Sequence, residues 1–115
     1  MKSVHAPAPR YPASLKVSFS GIGELLSAET TNISTTGMFV RTSKELPVGA
    51  VVPVALELPD ADRPVPLHAK VIHVRTPSLS HALHLDPGVG VQFVGADETF
   101  RARVDRYIDS IPRQS

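Results

Sequence analysis

The chain predicts an all-β fold with one added helix: about six short antiparallel strands close, or nearly close, into a small barrel, and a C-terminal α-helix packs across an opening. Three observations predict it. Apolar residues alternate with period two through much of residues 15–94, as in strands with one buried face. Eleven prolines and seven glycines punctuate 115 residues, which favours many turns between short strands. Only after Gly95 does the period become helical, with Phe100, Val104, Tyr107, Ile108 and Ile111 on one stripe.

In order, Met1 to Pro9 carries Pro7 and Pro9, which deny helix, and the expectation is a flexible arm over residues 1–14 followed by the barrel domain over 15–112. Leu15, Val17 and Phe19 alternate with Lys16, Ser18 and Ser20 as a first strand, and Gly21 and Gly23 make a turn. Residues 24–32 read as its paired strand. A polar bend at Thr31 to Gly37 returns the chain into the apolar run Met38-Phe39-Val40, which is expected to enter the core. Leu46-Pro47-Val48-Gly49 suits a type II-like reversal. Val51 to Leu58 is a strand that Pro53 pushes towards an edge or its own start. Val65 to Arg75 alternates through Leu67, Ala69, Val71 and Val74, and the change of parity at Ile72 and His73 predicts a bulge. Thr76 to Pro87 reads as a loop. Gly90 within the strand Val89 to Val94 suggests close backbone approach or a barrel corner. Asp97 is a good N-cap, Glu98 suits the positive end of the helix dipole, and Pro112 stops the helix before the polar tail Arg113-Gln114-Ser115.

Composition narrows the function. An apolar fraction of 42% with 20% charged residues supports one compact domain with its own core. With no cysteine there is no disulfide framework, thiolate zinc site or cysteine nucleophile. No apolar run reaches the ~18 residues of a spanning helix and no secretory h-region is present, so a cytoplasmic protein without membrane insertion is expected. A net charge of +1 argues against DNA or RNA as partner. Lys2, Arg10 and Lys16 nevertheless precede the first acid, Glu24, which makes the N-terminal arm the anion-attracting part. His81 and His84 have a plausible metal spacing, but they fall in an expected solvated loop with only Asp86 as a nearby oxygen ligand. Neither a metal site nor a catalytic constellation is expected, and the chain reads as a binding module rather than an enzyme.

The bend admits two uses. Ser34 and Asn32 are short polar side chains able to bond a ligand or to cap the turn, and Gly37 permits a positive φ or a close approach. Taken with Arg10-Tyr11-Pro12 before the first strand, Asn32-Ile33-Ser34-Thr35-Thr36-Gly37, Leu46-Pro47-Val48-Gly49, Gly88-Val89-Gly90-Val91-Gln92-Phe93 and the closing helix, it makes the chain resemble the PilZ domain family over nearly its whole length. The resemblance implies a six-stranded antiparallel β-barrel with a C-terminal α-helix, and binding of the bacterial second messenger cyclic di-GMP. Asn32, Ser34 and Gly37 fill the family's [D/N]xSxxG motif, and Arg10 fits the second arginine of its RxxxR motif. The position of the first arginine is Ala6. The candidate ligand residues are thus Arg10, Asn32, Ser34 and Gly37. No cofactor is implied beyond that ligand. Two functions follow: a receptor or adaptor that relays cyclic di-GMP to a still unidentified protein partner, or a domain that has lost the nucleotide and acts only through protein contacts, as in type IV pilus or gliding-motility assemblies.

Overall fold

In the computed structural model, which describes residues 10–21, 24–44 and 46–111, seven strands and two helices follow one another. They are β1 (Tyr11–Pro12), β2 (Lys16–Gly21), β3 (Glu24–Ile33), β4 (Gly37–Arg41), β5 (Val51–Leu56), β6 (Val65–Arg75), α1 (Pro77–Leu83), β7 (Gly88–Val94) and α2 (Glu98–Ser110). Every pairing is antiparallel. The sheet runs β1-β3-β2-β5-β6-β7-β4, and β3 also pairs with β4, so the six longer strands form a closed barrel with β1 as a short extension along β3. Closure removes the open edges that a free sheet would expose. Ala6 and the rest of residues 1–9, Gly23 of the first turn, and Pro112 to Ser115 lie outside the described residues.

The barrel is filled by the inward residues of its strands, among them Val17, Phe19, Ile33, Met38, Leu56, Ala69, Val71, Val89 and Val91. Helix α2 closes one opening with Phe100, Val104 and Ile108, all buried. Asp97 caps it by accepting from Phe100 N at 2.8 Å, as its sequence position suggests.

Two bulges set which residues face outwards. Along β6, Val71 pairs with Val91 but His73 pairs with Gly90, so Ile72 is the extra residue. In a regular strand, without the bulge, His73 would share Val71's inward face, because side chains then alternate strictly. On β3, Thr30 pairs with Val40 and Asn32 with Phe39, which makes Thr31 the extra residue and turns Asn32 outwards. The first bulge is legible in the sequence; the second is not, because Thr30 is polar. Its hydroxyl is buried, where it accepts from Leu15 N at 3.0 Å and donates to Ala13 O at 2.6 Å.

Other expectations are corrected. Tyr11 and Pro12 pair with Ile33 and Asn32, and Ala13 is buried, so residues 11–14 run along the barrel rather than belonging to a loose arm. The span from Thr76 to Pro87 holds α1 instead of a plain loop: Thr76 Oγ1 accepts from Leu79 N at 3.2 Å and Pro77 occupies the first turn. This helix escapes a search for a buried stripe because Ser80 is its buried residue while Leu79 and Leu83 are exposed. Pro53 lies on no edge, since β5 pairs on both sides. Glu57 N donates to Lys16 O, so odd-numbered residues of β5 aim their backbone at β2. Pro53, odd and without an N–H, is where that ladder stops, one residue beyond the Phe19–Val54 pair. The reversal at Pro47 to Ala50 forms with Ala50 N donating to Pro47 O at 3.1 Å. Gly49 takes its third position at φ +94°, a conformation that favours glycine.

Candidate functional site

The bend between β3 and β4 is held by its own hydrogen bonds. Ser34 N donates to Gly37 O at 2.8 Å. Ser34 Oγ accepts from Thr36 N at 3.2 Å and Gly37 N at 3.1 Å. At 1% exposure this hydroxyl is spent on the turn rather than offered to a ligand. Gly37 is needed for closeness and not for a positive φ: a Cβ there would run into Val91 O of the neighbouring strand. Ser34→Ala is therefore expected to lower unfolding free energy by about 1 to 2 kcal/mol, because two N–H groups lose their acceptor in a buried turn. Urea denaturation without ligand checks this, and an unchanged midpoint would mean that the turn does not depend on the hydroxyl.

What the bend positions is an outward face built from cross-strand rows. One row joins Asn32 (β3), Phe39 (β4), Gly90 (β7) and His73 (β6). The next joins Glu29, Arg41, Gly88 and Arg75 on the same strands. Directly opposed residues share a face, and the glycines leave β7 bare in the middle of it. Their space is used: a Cβ on Gly90 would strike the His73 ring, and one on Gly88 would strike Val40 O and the Phe39 ring. Phe39 is not the core residue its apolar run suggests. Met38 and Val40 point inwards, while Phe39 lies on the outer face at 4% exposure, covered by its neighbours. The Arg75 guanidinium stacks over its ring at 4.4 Å from the centroid, and the His73 ring lies 5.8 Å away at a tilt of 30°.

Arg10 completes this face. Its Nη1 donates to Asn32 Oδ1 at 2.8 Å, which brings together two candidates that are distant in sequence. Arg75 Nη1 donates to Asp86 O at 2.9 Å, which fixes the guanidinium over Phe39. Arg41 meets Glu29 Oε1 at 3.1 Å and Asp86 Oδ2 at 3.7 Å. Partial burial, followed by the charges of Arg75 and Arg10, holds the His73 imidazole below the ordinary histidine range. Besides Arg41, which is paired with Glu29 and Asp86, the surface thus offers two guanidiniums and an imidazole beside an aromatic ring. This chemistry suits phosphate oxygens, guanine edges and a stacked base. Of the four sequence candidates, Arg10 and Asn32 lie on the face, whereas Ser34 and Gly37 shape the turn beneath it. Phe39, His73 and Arg75 are the residues sequence reasoning missed. Their signal was present in the bulge at Ile72, which turns His73 and Arg75 outwards, and in Gly88-x-Gly90, which leaves room above β7.

Elsewhere, a cleft of about 980 Å³ opens where the β5–β6 connection meets the start of α2, lined by Pro64, Pro66, Leu67, Phe100 and Arg103. It shares no residue with the face described. Among the described residues no group of three His, Asp or Glu side chains could hold a metal ion, and no helix is long and apolar enough to cross a membrane.

Residues 7–110 match the family model of the PilZ domain. Among solved structures the chain is similar to the inhibitor of motility (MotI/DgrA) of Bacillus subtilis, with a TM-score of 0.73 and 16% identity over 93% of this chain and 50% of that one. It is also similar to YcgR of Escherichia coli in complex with c-di-GMP, with a TM-score of 0.71 and 15% identity over 92% of this chain and 45% of that one. The PilZ domain of YcgR alone, again with c-di-GMP, gives a TM-score of 0.66 and 15% identity over 93% and 91%. At such identities the likeness is one of fold, and the chain spans about half the length of the first two proteins. No curated protein is significantly similar in sequence.

Proposed function

Since the chain belongs to the PilZ domain family, we propose that it is a cytoplasmic cyclic di-GMP receptor or adaptor that binds the nucleotide on the face of Arg10, Asn32, Phe39 and Arg75 and passes its occupancy to a protein partner. The observation that carries this reading is the Arg10–Asn32 hydrogen bond, which joins residues of both family motifs beside Arg75 stacked on Phe39. Cyclic di-GMP presents two phosphates and two guanine Hoogsteen edges, both of which a planar guanidinium meets with a fork of N–H donors. The purine faces find a flat cation in Arg75. Among the proteins similar in fold are YcgR in complex with c-di-GMP and an inhibitor of motility, which supports a signalling role without chemistry of its own. In this role the ligand changes what the barrel presents to a protein, because binding shifts the population of states of the face around Arg10.

Alanine at position 6 favours a second reading, in which nucleotide binding is lost and only protein contacts remain. Titration calorimetry with cyclic di-GMP separates the two. The parent is expected to give a saturable heat, and Arg10→Ala is expected to weaken binding about tenfold through loss of one charged contact. A parent without measurable heat at low salt would leave the second reading.

A further inference from the structure

Five features of His73 meet on the face just described. The bulge at Ile72 turns it outwards. Gly90 has no Cβ, so the ring lies against the backbone of β7. Phe39 flanks it. Arg10 and Arg75 both bear on it electrostatically. Glu29 and Asp86, the acids on and beside this face, are turned to Arg41. Around the ring, β6 contributes Arg75 and, one row along, Lys70; β7 contributes Gly88, Gly90 and Gln92; β4 contributes Phe39 and Arg41. None of these groups is an anion facing the imidazole.

We propose that His73 is a ligand-binding residue that takes up a proton when the cyclic dinucleotide docks, supplying the second cation that Ala6 does not. The proposal rests on the cyclic di-GMP reading above. In the free protein, partial burial and two guanidiniums disfavour the imidazolium. A ligand with two phosphate charges neutralises that repulsion and stabilises the protonated ring, which then has two N–H donors for a phosphate oxygen or a guanine N7. The sign follows from linkage. The bound state holds the proton at a higher pH than the free state, so affinity rises as pH falls through the bound value. It levels off once pH drops below the lowered value of the free protein.

The test is calorimetric titration of the parent, His73→Gln and His81→Gln with cyclic di-GMP from about pH 8 to about pH 5.5. Each titration is repeated in buffers of different ionisation enthalpy to count protons. The parent is expected to bind more tightly towards acid, by up to about tenfold per pH unit where one full proton is taken up. His81→Gln should keep that profile, while His73→Gln should be flat and take up no proton. A parent whose affinity ignores pH, or a His73→Gln variant that keeps the parent's profile, overturns the proposal and leaves the receptor reading standing. Absence of binding throughout the range overturns both.

Discussion

Phe100→Ala is expected to destabilise the protein by about 3 to 5 kcal/mol, the usual cost of removing a fully packed aromatic ring. The ring is 6% exposed and meets Phe93 edge-on with centroids 4.9 Å apart, a geometry that adds to simple burial. It is the first buried residue of α2, one helical turn before Val104 and two before Ile108, so its loss also loosens the seat of the helix over the barrel. A substantial share of a small domain's stability goes with it, since such domains hold only about 5 to 15 kcal/mol in total. Urea denaturation followed by circular dichroism measures the effect. A shift of less than about 1 kcal/mol would show that α2 packs loosely.

Where the sequence carries a strong period it specifies the structure. The stripe of Phe100, Val104 and Ile108, the alternation of Leu67, Ala69 and Val71, and the parity change at Ile72 all reappear at their expected places. Each is imposed by burial, which the order of apolar residues records directly. The candidate site was only half legible for the same reason. Arg10 and Asn32 could be named from their motifs, but their meeting depends on the bulge at Thr31, whose neighbour Thr30 buries a hydroxyl instead of an apolar group. Phe39 misleads because a buried aromatic normally means core; here the cover is a guanidinium on the outside of the barrel. Ser34 is the converse: a motif residue that looks like a ligand group, with its hydroxyl consumed by backbone donors. Short motifs mix residues that touch a ligand with residues that build the turn, and only hydrogen-bond accounting separates the two.

Replacing Ala6 by arginine is expected to raise cyclic di-GMP affinity by about 5- to 150-fold, corresponding to roughly 1 to 3 kcal/mol for one added bidentate contact. The substitution restores the arginine pair whose second member, Arg10, is already aimed at the face through Asn32. Binding should also fall more steeply with salt, because one more cation is engaged. The gain should depend on pH in a way that connects it to His73. At high pH, where the imidazole is neutral, the new guanidinium replaces a missing charge and the gain is greatest. Towards acid it shares the phosphates with an imidazolium, and the advantage shrinks. Calorimetry of Ala6→Arg beside the parent, at low and moderate salt and at both ends of that pH range, reads all three effects. If the variant binds no better than a parent that does not bind measurably, the face has drifted by more than one residue and the receptor reading fails. The barrel would then act through protein contacts alone, and pull-down with the tagged domain becomes the route to its partner.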